Sequence, residues 1–470
     1  NIAYTVSLSA FFFVFSLHNT LSQPKNLKLN PSKSLTQFPI SSWNIDDGMP
    51  SDMVIGLAQD SVGYIWIATY KGISRFDGVA FTNYNHSTNS AVKSVVTHAI
   101  ATDTEGNIWF GSQQGIVRYK NAELARVAGL AMLDSVSVES LFYHEIDSSL
   151  WIGTTSKGVF RLKNCNIEPM SGFFEFAKGI VKAIGSDSNG NIWIGTEGGK
   201  VVRYAQNRFE ILPSNAPLGG VNSFYCINEN VFVAAENGLF VLSNQELINF
   251  IPSFKQKVNA VFIDQHNSLW MGTDNGVYRY FVDTGRIENL TEDSGIPNNL
   301  VKAFLVDKEG SLWVGTYRKG LFKLSDGKIS NISESEGLSS DLIVAITQID
   351  SERYLIADEY GSLNVLSNKG VEEFHHRIKL SVSRLKHLFT DSKRNIWIST
   401  YGGLVKLLPN GEQQAFTLKT GFPAETIRLT FEDSDGNIWI GTRSNGLFKL
   451  DPKGKVIEFS LNNGRLSSNY

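Results

Sequence analysis

The skeleton Asp-x-x-Gly-x-Ile-Trp-Ile-Gly-Thr, a short gap, then Gly-Leu-x-Lys/Arg recurs along the whole chain; its clearest copy is Asp433 to Leu450. Asp433 and Gly436 suit a tight turn, because Asp bonds its own backbone and Gly accepts positive φ at no steric cost. Ile438 to Thr442 is a β-branched and aromatic strand, Asn445-Gly446 a second turn, and Leu447 to Leu450 a second strand. The apolar run Ile427 to Phe431 before it and Val456 to Phe459 after it bring the unit to four strands.

The place of Trp439 is filled upstream by Trp66, Trp109, Trp151, Trp193, Phe232, Trp270, Trp313, Tyr354 and Trp397, at spacings of 43, 42, 42, 39, 38, 43, 41, 43 and 42 residues. A period near forty made of four short strands means β-propeller blades. Ile-Trp-Ile is apolar on both faces of its strand, as expected for a blade sandwiched between two others. The repeats at Asn230–Ala235 and Arg353–Ala357 are degenerate, lacking both Trp and Gly-Thr.

Ten repeats exceed the usual single ring of four to eight blades. The expectation is therefore all-β: a seven-bladed β-propeller over residues 37–325, followed by the first blades of a second, truncated propeller over 326–470. The apolar segment Gln37 to Trp43 precedes any complete repeat. It is expected to supply the missing strand of the seventh blade and so hide both edges of the ring.

Ahead of the repeats, Ala3 to Leu17 is apolar and uncharged and is followed by a polar tract containing Ser22 and Gln23. Residues 1–22 read as a secretory signal peptide without its basic start, since the first residue is Asn1; a truncated membrane anchor is the other reading. Residues 23–36 read as a linker. The chain ends at Tyr470 on a lead-in with no blade behind it, so both ends are expected to be cut. Cys165 and Cys226 lie in different repeats and read as packing residues. A net charge of −3 with interspersed signs gives no basic stripe for nucleic acid.

With its Gly-Leu-Pro-Ser-type lead-ins at Gly48–Asp52, Gly295–Asn299, Gly337–Asp341 and Gly421–Glu425, this skeleton resembles the repeat of two-component regulator propeller proteins. The resemblance implies two seven-bladed propellers forming a periplasmic sensor. It also implies a downstream β-sandwich, a membrane helix and a cytoplasmic output module, a histidine kinase or diguanylate cyclase. The implied signal is a small molecule, an oligosaccharide in many relatives. Membrane attachment would run through a helix beyond this segment, with homodimerisation left open. A lyase-like propeller enzyme resembling streptogramin lyase and a protein-binding scaffold are the alternatives.

Asp433–Asn437, Asp187–Asn191 and Asp103–Asn107 look like the opening of a calcium loop, but the Glu that would complete it about twelve positions on is missing. The tryptophans read as core and not as sugar platforms, since eight of nine share one repeat position. His375-His376 would point to opposite strand faces, and His98, His144, His266 and His387 have no ligand spacing. No cofactor, metal or catalytic residue is expected within this segment. His98, on an innermost strand, is the one residue a lyase reading could use. The turns after the Trp strand vary where the rest of the repeat does not. They nominate Tyr70, Lys71, Gln113, Gln114, Tyr317, Arg318, Lys319, Tyr401 and Arg443 as ligand-binding residues, with ring faces and planar hydrogen-bonding groups suited to sugars. In a closed seven-blade ring, blades one and seven are neighbours, so Tyr70, Lys71, Tyr317, Arg318 and Lys319 would share one patch and favour an anionic ligand.

Overall fold

The computed structural model describes residues 26–468, except 95, 128, 174–177, 228, 297–299, 328–331, 368–369, 375–383 and 424–425. The expected signal peptide and the His375-His376 pair lie outside the described residues. The strands form ten four-stranded antiparallel sheets, each in simple sequential order but one. Contacts divide the chain into two compact units, at residues 330 and 331.

The first unit holds seven sheets. Their innermost strands are Val54–Gln59, Thr97–Thr102, Val138–His144, Val181–Ser186, Val221–Ile227, Val258–Ile263 and Val301–Val306. Each touches the next, and Val301–Val306 returns to touch Val54–Gln59, which closes the circle. The seventh sheet contains only three strands of its own repeat. Its fourth is Ile40–Trp43, paired antiparallel with Leu321–Leu324. The described part of the expected linker, residues 26–36, packs on this closure: Leu27, Leu29 and Leu35 are buried with Phe38, Trp270, Val277 and Phe322. Lys28 N–H donates to Gly310 O, and the buried Arg279 guanidinium to Lys33 O.

The Trp column has a use that the turn reading did not anticipate. Seven indole N–H groups donate to the aspartate six residues earlier, at 2.7–3.0 Å, from Trp66–Asp60 to Trp439–Asp433. The other oxygen of the same carboxylate accepts backbone N–H groups of the turn, as Asp264 does from His266 and Ser268. One carboxylate therefore fixes the turn and satisfies a buried indole together, which a bare hydrophobic plug would leave unpaired.

The second unit holds three sheets with innermost strands Ile343–Gln348, Leu385–Thr390 and Ile427–Glu432. These touch in sequence. On the first and last of these sheets, apolar side chains of the innermost strands are exposed: Ile346 is 57% and Phe431 46% exposed. Trp439, the template residue of the repeat, is only half-buried, whereas Trp270 and Trp397 are buried.

Candidate ligand site at the channel mouth

Every innermost strand of the first unit contains a β-bulge at the same place. The register skips one residue after the opening Val or Thr: Ile55, His98, Glu139, Lys182, Asn222, Asn259 and Lys302. A bulge re-aims a side chain that the pleat would otherwise direct elsewhere. These residues and those after them line a cavity of about 440 Å³ along the ring axis. Beyond the bulge the lining turns apolar, with Leu57, Ile100, Leu141, Ile184, Val261 and Leu305. The result is an apolar channel with a polar crown.

The crown also uses the turns after the Trp strands. Where the repeat keeps its threonine, that residue pins the turn: Thr69 Oγ1 donates to Gly72 O and accepts from Lys71 N, and Thr316 repeats the arrangement with Gly320 and Lys319. The turns are also tied to the lead-ins, through Tyr70 N to Met53 O and Tyr317 N to Leu300 O. Turn residues and bulge residues then meet. Lys302 Nζ lies 3.1 Å from Asn259 Oδ1 and 3.6 Å from Asp274 Oδ1. Lys182 is 3.3 Å from Glu197, Lys257 is 3.6 Å from Glu236, and His98 Nε2 is 3.9 Å from Glu139. Asn222 and Asn259 donate across to the carbonyls of Val258 and Val301, the first residues of the next blades' innermost strands, so the bulges stitch neighbouring blades together.

On the remaining side, Tyr70 stands edge-to-face with Tyr317 at 6.1 Å between ring centres and with His98 at 6.3 Å. Lys302 Nζ lies 5.7 Å over the Tyr317 ring. Burial raises the Tyr70 phenol, and Tyr317 adds to the effect. Burial likewise lowers the Lys302 ammonium, with Asp274 opposing. Both shifts are those of polar groups drawn partly out of water.

The structure thus brings Tyr70 and Tyr317 together, with Lys71, Arg318 and Lys319 exposed on the same two turns. Gln113 and Gln114 are exposed on the neighbouring turn, where the Gln114 carbonyl accepts from Arg126. Tyr401 and Arg443 belong to the second unit. The bulge residues, His98 apart, were missed from sequence. Their signal is a column: Val-Ile-Gly, Thr-His-Ala, Val-Glu-Ser, Val-Lys-Ala, Val-Asn-Ser, Val-Asn-Ala and Val-Lys-Ala open the seven strands, one variable residue between two uniform ones.

The family model of the two component regulator propeller matches residues 48–71, 176–198, 295–318 and 421–444, each spanning a lead-in or innermost strand through to a turn of this kind. The chain carries two-component regulator propeller repeats at these four places. No curated protein matches it significantly. Among solved structures, it resembles the extracellular domain of what is described as a hybrid two-component system of B. thetaiotaomicron, at 20% identity and TM-score 0.74. That match covers 92% of this chain and 62% of the other. The extracellular domain of what is described as a one-component system of the same organism aligns at 20% identity and TM-score 0.53, over the same shares. The propeller chain therefore spans less than two thirds of either, and at these identities the likeness establishes the fold. Among the described residues no helix is long and apolar enough to cross a membrane.

Proposed function

We propose that this two-component regulator propeller is the extracytoplasmic, periplasmic ligand-sensing region of a membrane-bound signal-transduction regulator. The first unit's channel mouth receives a small polyhydroxylated ligand, an oligosaccharide being the best fit. The observation that carries the reading is the crown itself. Its lysine–carboxylate pairs stand open at 3.3–3.6 Å. Charge-assisted hydrogen bonds close to about 2.7–2.9 Å when fully made. A hydroxyl both donates and accepts, so one at the mouth can hydrogen-bond the ammonium and the carboxylate of such an incompletely closed pair together. Tyr70 and Tyr317 add ring surface at the edge of the mouth. The downstream output, histidine kinase or diguanylate cyclase, belongs to this reading and lies outside the chain.

Calorimetric titration of the chain with neutral and acidic oligosaccharides tests it. Binding that weakens about tenfold or more in Lys302→Met and Tyr317→Ala supports the mouth as the site. An affinity untouched by both substitutions puts the ligand elsewhere. Catalysis at the same mouth is a second reading, favoured by one observation: His98 stands in the crown beside Glu139. At 3.9 Å that carboxylate is beyond hydrogen-bond reach of the imidazole, so the pair would have to close before Glu139 could orient His98 as a base. Product analysis after prolonged incubation separates the two: unchanged ligand favours sensing, and cleaved ligand with loss in His98→Ala favours catalysis.

A further inference from the structure

We propose that the second unit carries an oxyanion-binding site of its own, built from Arg384 and Lys386 against Tyr401 and from Arg428 and Arg443, which hold the same bulge and turn columns on the next blade. It goes beyond the reading of the first unit, because it is a different site with the opposite electrostatics. The bulge column continues here: the register skips Lys386 after Leu385 and Arg428 after Ile427. Tyr401 and Arg443 occupy the turn column, and Arg443 N–H is tied to Thr426 O as Tyr70 N–H is to Met53 O. In the first unit a bulge lysine meets a turn acid of its own or the preceding blade, as Lys182 meets Glu197 and Lys302 meets Asp274. The second unit has cations in both columns.

None of these four cations makes an ion pair among the described residues. Among the described residues of this unit the one ion pair is Arg353–Asp350, far along the sequence from all four. Glu359, the acid of the same turn column on the preceding blade, is exposed and makes no ion pair with Lys386 among the described residues. Instead, Lys386 Nζ lies 5.0 Å and the Arg384 guanidinium 5.7 Å over the Tyr401 ring. Cation–π attraction orients both groups without neutralising either. Tyr401 is therefore a positioning residue, not a stacking platform for a sugar ring. In a chain of net charge −3, a group of four cations with no paired acid is not part of a generally basic surface. Guanidinium forks match carboxylate and sulfate oxygens two at a time, so the occupant is an oxyanion-bearing ligand.

The test is titration of the whole chain with tetragalacturonate, inorganic sulfate and cellotetraose as carboxylate, sulfate and neutral probes. At least one of the two anions is expected to bind, more weakly as salt is raised. Preference for one of them identifies the chemical source. The double variant Lys386→Gln, Arg428→Gln is expected to lose about tenfold or more in affinity, as removal of charged hydrogen-bond partners does. Tyr401→Phe should bind as the parent does. Tyr401→Leu should bind more weakly at an unchanged melting temperature, which a merely structural tyrosine would not give. Lys302→Met in the first unit should leave this binding intact, which separates it from the site at the channel mouth. No binding of either anion, equal binding of cellotetraose, or an affinity unchanged in the double variant overturns the proposal.

Discussion

Gly315 of the seventh blade lies so close against Val54 of the first that a methyl group in place of its hydrogen would overlap Cγ1 of that valine. The same approach joins other neighbours: a methyl at Gly272 would stand 2.6 Å from Val301 Cγ1, and one at Gly153 2.6 Å from Val181 Cγ1. The glycine of Ile-Gly-Thr is therefore the contact point between consecutive blades, and Gly315–Val54 is the contact that closes the first unit. Gly315→Ala is expected to cost about 1–3 kcal/mol through overpacking. Gly441→Ala, whose added methyl meets only Leu429 of its own blade at 3.3 Å, should cost less. Denaturant unfolding followed by tryptophan fluorescence compares the two. Equal losses would mean that blade contact does not set the glycine.

Closure also depends on the segment before the repeats. Phe38 is 3% exposed among residues of the sixth and seventh blades. Phe38→Ala should cost about 3–5 kcal/mol and loosen the pairing of Ile40–Trp43 with Leu321–Leu324. Amide hydrogen exchange is expected to quicken at Leu321–Leu324 and stay slow at Val181–Ser186. Uniform quickening would show that the segment stabilises the ring globally and does not act as a local clasp.

The Trp positions should not be equivalent. Trp270 is fully buried and donates to Asp264, so Trp270→Ala should cost about 3–5 kcal/mol. Trp439→Ala should cost markedly less, because Trp439 is half-buried. Chemical denaturation of both variants measures the difference, and similar costs would contradict the burial argument.

Calcium should leave the protein unmoved. Asp433 Oδ1 accepts from the backbone of Asp435 and Asn437, and Oδ2 from Trp439 Nε1 and Asn437 Nδ2. Its oxygens are already engaged. Thermal melts with added calcium or with a chelator are expected to coincide, since a ligand of the native state would raise the melting temperature by mass action. A shift of several degrees would show the turns to be metal loops after all.

Acid should weaken the second unit through the same residue. The Asp433 carboxyl is lowered from 3.8 to about 2, first by the Trp439 indole and then by Asn437. A carboxyl depressed in the folded state stabilises above its unfolded value and loses that contribution as pH falls through the folded one. The melting temperature should therefore fall between pH 3.8 and about 2, and Asp433→Asn should fall less steeply over that window. Parallel slopes would sever the link to this carboxyl.

Much of this architecture was legible without coordinates. The period near forty dictates blades, and the two-faced apolar Ile-Trp-Ile strand dictates that each blade is covered on both sides. The variable turns led to Tyr70 and Tyr317, and ring adjacency led to their meeting. What the repeat could not reveal was the crown's other half. A strand's pleat alternates strictly, so sequence alone sends Lys302 and Asn259 to whichever face alternation assigns. The bulge that re-aims them is a property of register against the next strand.

By itself, then, the sequence determined the local units: turn, Trp strand, turn, strand, each specified by short-range chemistry such as Asp433 with Gly436 or Thr442 with Gly446. Only the tertiary structure decided which units meet. The pairing of Ile40–Trp43 with Leu321–Leu324 and the seating of Val54 on Gly315 join residues far apart in the chain. Those contacts depend on ring geometry and strand register, and no stretch of forty residues contains either.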